Sequence, residues 1–293
     1  MFVIIGCLVV IGAILGGFVM EQGQLLVLFQ PAELLIIAGA ALGTILISNP
    51  IPTLKRMGRG ILGTLKGDSR GTAFYLENLK MLNELFQYAR KNGIAKLEVD
   101  IDEPEKSPVF AKYPAFLQNH HAVYFICDTL RMFISGGVDP FELDQMMELD
   151  MEVHHHELHE PVASLSTVAD SLPGLGIVAA VLGVVITMGA LGGPPEEIGH
   201  KVAAALVGTF LGILLCYGFL GPVASRMARA NDADARFYHV MRVGVLAFMR
   251  GSAPILAVEF ARRAIPSSIR PTFQELEKTC RGGSAPAAAA AAA

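Results

Sequence analysis

SLPGLGIVAAVLGVVITMGALGG, from Ser171 to Gly193, contains no charged residue. The hydrocarbon core of a bilayer, about 30 Å thick, needs about 20 apolar residues of helix to cross it, and this stretch is long enough. It is rich in glycine and has Pro173 near its start. Three other stretches have the same character: Met1 to Met20, Leu34 to Ser48 lengthened by the apolar residues before it, and Val202 to Ser225. Together they predict an all-α integral membrane protein with four transmembrane helices and a helical cytoplasmic domain. No Asp, Glu, Lys, Arg or His falls inside any of the four cores as bounded here. A charge at mid-bilayer costs roughly 2.5 to 3.5 kcal/mol on insertion scales and usually marks an ion pathway. The spans are therefore expected to offer only hydroxyls, at Thr187, Thr209 and Tyr217.

Composition agrees with a membrane protein that also has a sizeable aqueous part. The chain has 293 residues, 53% hydrophobic and 17% charged, with mean hydropathy +0.49. Its net charge of −4 argues against nucleic acid as a partner, because phosphate binding needs a basic surface. The first stretch lacks the basic start and small-residue cleavage site of a secretory signal, which makes it a span. Cys7, Cys127, Cys216 and Cys280 lie far apart, so neither a disulfide framework nor a zinc ribbon is expected.

Orientation follows from the basic residues, which collect on cytoplasmic flanks. Lys55, Arg56, Arg59, Lys66 and Arg70 follow the second span, and Arg226, Arg229, Arg236 and Arg242 follow the fourth. The connection EQGQLLVLFQPAE has none. Both termini are therefore expected in the cytoplasm. The chain divides into spans one and two (1–50), a cytoplasmic helical domain (51–169), spans three and four (170–225), C-terminal cytoplasmic helices (226–283) and a low-complexity alanine-rich tail (284–293).

In the aqueous part, Leu76, Leu79, Leu82, Leu85 or Phe86 and Ala89 recur at helical spacing from Thr72, with Gly93 as the stop. A second helix is expected over about His120 to Ile134. A third, acidic one starts at Asp139 with Pro140 in its first turn. HHHELHE, His154 to Glu160, falls one residue short of H-E-x-x-H, although His155 and His159 share a helix face. It reads as a polar helix rather than a metal site, and no metal or cofactor is expected. Gly12 with Gly16, Gly39 with Gly43 and Gly208 with Gly212 have the spacing that lets helix backbones approach closely in lipid, and three such pairs point to a packed assembly. Pro173 and Pro222 flank spans three and four at a similar depth. Pro173 reads as a first-turn proline with little cost, and Pro222 as one inside a longer helix.

QPAELLIIAGA at Gln30 to Ala40, DSLPGLGIVAAVLGVV at Asp170 to Val185, VGTFLGILLCYGF at Val207 to Phe219 and AVEFARRAIPSSIRPTFQELE at Ala257 to Glu277 resemble the MotA family of flagellar motor stator subunits. The likeness runs through nearly the whole chain apart from the tail. It implies a pentamer of such chains around two MotB chains, whose spanning helices each bring the aspartate that binds the coupling ion. It also implies torque delivered to FliG, the rotor switch protein. Pro173 and Pro222 match the family's coupling prolines, Arg90 and Glu98 its rotor-contacting charged pair, and Thr209 the hydroxyl that lines the ion path. Asp150 stands where a glutamate is usual. Ala180 stands where sodium-type relatives carry threonine, which favours proton coupling. ExbB or TolQ energisers resemble the last two spans but typically have three, and a passive membrane scaffold would also lack intramembrane charge.

Reconstituted without a partner, the chain is expected to conduct no protons, because its spans lack an exchanging group at mid-membrane. Pyranine-loaded liposomes under a proton gradient would report any flux, and a clear one would refute this.

Overall fold

The computed structural model describes residues 2–66, 70–189 and 191–282, and the alanine-rich tail at 284–293 lies outside them. Every regular element among the described residues is helical. In chain order the α-helices are α1 (Phe2–Met20), α2 (Leu25–Leu28), α3 (Pro31–Ser48), α4 (Ile51–Lys66), α5 (Thr72–Asn92), α6 (Ile94–Asp102), α7 (Pro114–Leu117), α8 (His120–Ser135), α9 (Pro140–Met188), α10 (Pro195–Ile213), α11 (Gly221–Met249), α12 (Pro254–Arg263) and α13 (Phe273–Cys280), with short 3-10 turns at Pro104–Lys106 and Phe110–Lys112. A π-helical segment, Leu214–Leu220, joins α10 to α11.

Local chemistry sets several boundaries. Gly93 ends α5 at φ 85°, a backbone conformation that costs glycine nothing. The Asn119 side chain accepts from the Ala122 amide at the start of α8. Asp139 does the same for the Glu142 amide ahead of Pro140, at 3.1 Å. Thr272 and Glu275 form a reciprocal capping box on α13.

The chain forms two compact units. The first comprises 1–67 and 157–231, the second 68–156 and 232–293. Four helical stretches of the described residues are long and apolar enough to cross a membrane: Phe2–Met20, Leu25–Ser48, and parts of Pro140–Met188 and Pro195–Met249. Two expectations need correction here. The second span begins earlier than Leu34, so it takes in Glu33, which is buried at 6% exposure; a carboxylate is therefore present among the spans, and the expected lack of proton conduction by the chain alone then rests on the missing partner aspartate rather than on spans without an exchanging group. The third span is not a separate helix: α9 runs unbroken from Pro140, so Pro173 lies deep in its interior, as does Pro161. An interior proline removes a hydrogen bond and crowds the carbonyl four residues back, here that of Ala169, at a cost of about 3 kcal/mol or more. The glycine pairs also divide. Gly208 and Gly212 are closely packed, whereas a side chain at Gly12, Gly16, Gly39 or Gly43 would meet nothing within 4 Å.

In the first unit, Ile37 and Ala41 of α3, Val168, Leu172 and Ala179 of α9, and Cys216 form one buried cluster. The closest backbone approach is between α9 and α10. A methyl on Gly212 would lie 2.6 Å from the Leu172 carbonyl oxygen, and one on Gly176 would lie 2.9 Å from that of Gly208. Gly183 stands against Ala205 in the same way, at 2.7 Å from its Cβ. Helix α1 buries none of its residues. Its apolar surface is what lipid or a neighbouring chain would cover.

The second unit has a core of its own. Leu76, Leu79, Leu82 and Phe86 of α5 meet Ile126 and Leu130 of α8, Phe237, Met241 and Val245 of α11, and Ala257, Val258 and Leu276 beyond. The Phe86 and Phe248 rings stack with centroids 4.3 Å apart. Each large side chain so buried contributes about 1.5 to 3 kcal/mol. The acidic start of α9 is partly neutralised, since Arg242 and Arg250 both pair with Asp144.

Gly212→Ala is expected to destabilise the folded chain by about 1 to 3 kcal/mol, because its methyl meets backbone that cannot move aside. Gly63→Ala, on a helix surface with open space around it, should be neutral or slightly stabilising. Thermal unfolding in detergent distinguishes them, and equal midpoints would contradict the close-contact argument.

Candidate functional site

The tight α9 and α10 contact brings Ala180 and Thr209 to one level. A methyl on Gly176 would lie 3.3 Å from the Thr209 Cα, and one on Gly208 would lie 3.3 Å from the Ala180 amide nitrogen. Thr209 and Ala180 are both half-buried. The other two hydroxyls do not join them. Thr187 is buried and donates to the Gly183 carbonyl of its own helix at 2.8 Å. Tyr217 is 72% exposed, on the outer surface of the π segment.

Pro173 and Pro222 flank one apolar layer. Leu172 is buried in a cluster that Leu220 also packs against. Pro173 is half-buried and Pro222 exposed. The π segment ends at Leu220, two residues before Pro222, and sequence reading missed it. Within it the Gly221 amide donates to the Cys216 carbonyl, five residues back. A methyl on Gly221 would lie 3.0 Å from that oxygen, so glycine suits the wide turn. A proline that cannot donate and crowds the carbonyl four residues back is a physical reason for such a turn, and π turns recur at functional sites. The dipeptide Gly221-Pro222 was the available signal.

In the second unit, Arg90 lies in the last turn of α5 and Glu98 on α6. Both are exposed, and neither belongs to an ion pair among the described residues. Leu97 and Ile101 anchor α6 in the core, which leaves Glu98 on the surface. The histidine run has a structural use that was not foreseen. His154 Nε2 lies 3.1 Å from Asp234 Oδ2, Arg70 pairs with the other oxygen of the same carboxylate, and the His121 ring stacks on His154 at 3.7 Å. Among the described residues no group of three metal-ligating side chains is present. In the C-terminal motif, hydrogen bonds from Arg262 and Arg263 to Glu259 hold its carboxyl below the ordinary range.

Comparison with known proteins gives these positions a context. Residues 4–93 match the Motility protein A N-terminal family, and residues 117–238 match the MotA/TolQ/ExbB proton channel family. The chain is 42% identical to Motility protein A of Escherichia coli (strain K12) over 288 residues, covering 96% of this chain and 95% of that one. It belongs to the motility protein A family. The chain is thus a flagellar motor stator subunit of the proton channel family and not an enzyme. Chemotaxis protein LafT of Vibrio parahaemolyticus is 38% identical over 94% of this chain and 96% of its own. The motility protein A fold is also recovered. The chain resembles a solved C. jejuni MotAB structure with TM-score 0.75 at 18% identity, over 92% of this chain and 98% of that one. The flagellar MotAB stator complex from Bacillus subtilis gives 0.71 at 24% identity, over 90% and 96%.

Proposed function

We propose that this stator subunit surrounds a MotB partner whose spanning helix supplies the ion-binding aspartate, and that proton passage beside Thr209 and Ala180 drives torque on the rotor switch protein FliG. The observation that carries this reading is a proline within each long helical rod, Pro173 inside the continuous α9 and Pro222 just after the π segment. Helices that lack a backbone hydrogen bond bend there at lower cost. When the partner aspartate takes up a proton it loses its charge, and that difference between two states is the energy available to shift the surrounding spans.

The assembly is a pentamer around a MotB dimer. Supporting it are the unburied α1 and the open glycine pairs Gly12 with Gly16 and Gly39 with Gly43, faces on which neighbouring chains can pack closely. The protein resides in the inner membrane with both termini cytoplasmic. Residues 51–169 and 226–283 then lie on the rotor side, which the basic flanks after spans two and four support. Arg90 and Glu98 are the rotor contacts; their exposure and the lack of an ion partner among the described residues fit a charged pair kept for another protein. A proton is the coupling ion, because Ala180 offers no oxygen where a sodium ion would need several ligands.

Pro173→Ala and Pro222→Ala should each leave expression and recovered partner complex near wild type while cutting swimming speed severely. Normal swimming in both would remove the hinge role, and loss of complex in both would make them packing residues. Reversing Arg90 or Glu98 should impair swimming with assembly intact, since an exposed charge contributes about 0 to 1 kcal/mol to stability. Restoration by reversing the opposing rotor charge checks the contact; if a single reversal also abolishes membrane insertion, the residues are structural.

A further inference from the structure

The first unit holds a carboxylate that this reading leaves unused. Glu33 stands in the first turn of α3, three residues after its N-cap Gln30, and is 6% exposed. Its Oε2 is buried without a hydrogen-bond partner. Facing it is the bare backbone of Gly208: a methyl there would lie 2.7 Å from Oε2, 3.2 Å from the Ala179 Cβ and 3.3 Å from the Ala180 nitrogen. The carboxylate therefore borders the residue before Thr209 and lies on the same glycine as Ala180. At 1.5 Å per residue, Gly208 lies about 20 Å along α10 from Pro195, so α3 begins well inside the length of that helix.

Gln30 lines an open recess of about 580 Å³ together with Glu197, His200, Lys201 and Ala204 of α10. His200, Ala204 and Gly208 follow at i, i+4 and i+8, so the polar recess and the contact with Glu33 share one helix face. Among the described residues no ion pair includes Glu33; Lys201 pairs instead with Glu197 at 2.9 Å. The charged or titratable groups lining the recesses beside this end of α10 are Glu196, Glu197, His200 and Lys201 on α10 and Glu21 after α1, while α9 presents Ala179 and Ala180 to Gly208. An ionised carboxylate buried without a cation or donor costs several kcal/mol, and taking up a proton removes that cost. Its aliphatic and glycine surroundings suit a proton, which needs one basic oxygen, better than a metal cation, which needs several.

We propose that Glu33 is a proton-binding site on the stator's ion path, reached from the recess beside Gln30 and His200. A hydronium ion in the recess gives its proton to the Glu33 carboxylate and is left as water. The resulting acid then gives that proton to the ionised partner aspartate and returns to carboxylate. The proposal rests on the partner aspartate being the next acceptor.

The test uses motile cells carrying the chain with its partner, and measures single-motor rotation rate across external pH beside recovered complex. Glu33→Gln keeps the shape and removes the acid. It should preserve the complex and lower the rotation rate by about tenfold or more, within the range attributed to a positioned proton-transfer group. Glu33→Asp should keep most of the rate with its dependence on external pH displaced. Wild-type rotation at every pH in Glu33→Gln overturns the proposal. So does an equal loss of rate and complex in both variants, which would make Glu33 a packing residue. Asn in place of the partner aspartate provides the separation. Normal rotation there refutes the partner-carboxylate reading, whereas a block there with normal Glu33→Gln refutes the Glu33 site alone.

Discussion

The backbone contact between α9 and α10 governs the arrangement of the first unit. Lipid is as apolar as the helices, so no hydrophobic drive holds them together, and association relies on close van der Waals approach. Gly176, Gly208 and Gly212 allow that approach by having no side chains to intervene. The positions of chemical interest depend on the contact. It brings Ala180 to the level of Gly208, places Thr209 beside Gly176, and leaves at Gly208 a space that the Glu33 carboxylate enters.

The two long helices answer their prolines differently. Ahead of Pro222 the chain widens into a π segment, with Gly221 bonded five residues back. Pro173 is accommodated within an unbroken α9. Both solutions put weak backbone next to a well-packed apolar layer that includes Leu172. Weak backbone beside firm packing suits a part with two discrete arrangements better than one that deforms gradually, because packed cores do not deform continuously.

What was legible in the sequence is what local chemistry decides. Apolar length marked the spans, Asp139 with Pro140 marked the start of α9, and Gly93 marked the end of α5. The family followed from motifs in order. Glu33 was not legible as a buried group, because its burial depends on how far along α10 the start of α3 sits, and packing sets that. Pro173 was misjudged for a related reason: a polar acidic helix and an apolar span look like two elements until they are seen as one continuous rod. The use of His154 was hidden because its partner Asp234 lies 80 positions away.

The second unit's core draws on two stretches of chain, 68–156 and 232–293, separated in sequence by the last two spans. Phe86 cannot stack on Phe248 until the chain between them, the last two spans included, has left the ribosome. During synthesis the apolar faces of α5 and α8 must therefore wait uncovered, the kind of surface on which partly made chains aggregate. The order of elements thus links completion of the second unit to completed synthesis of the last two spans, so a chain that stalls after its second span leaves that unit without part of its core.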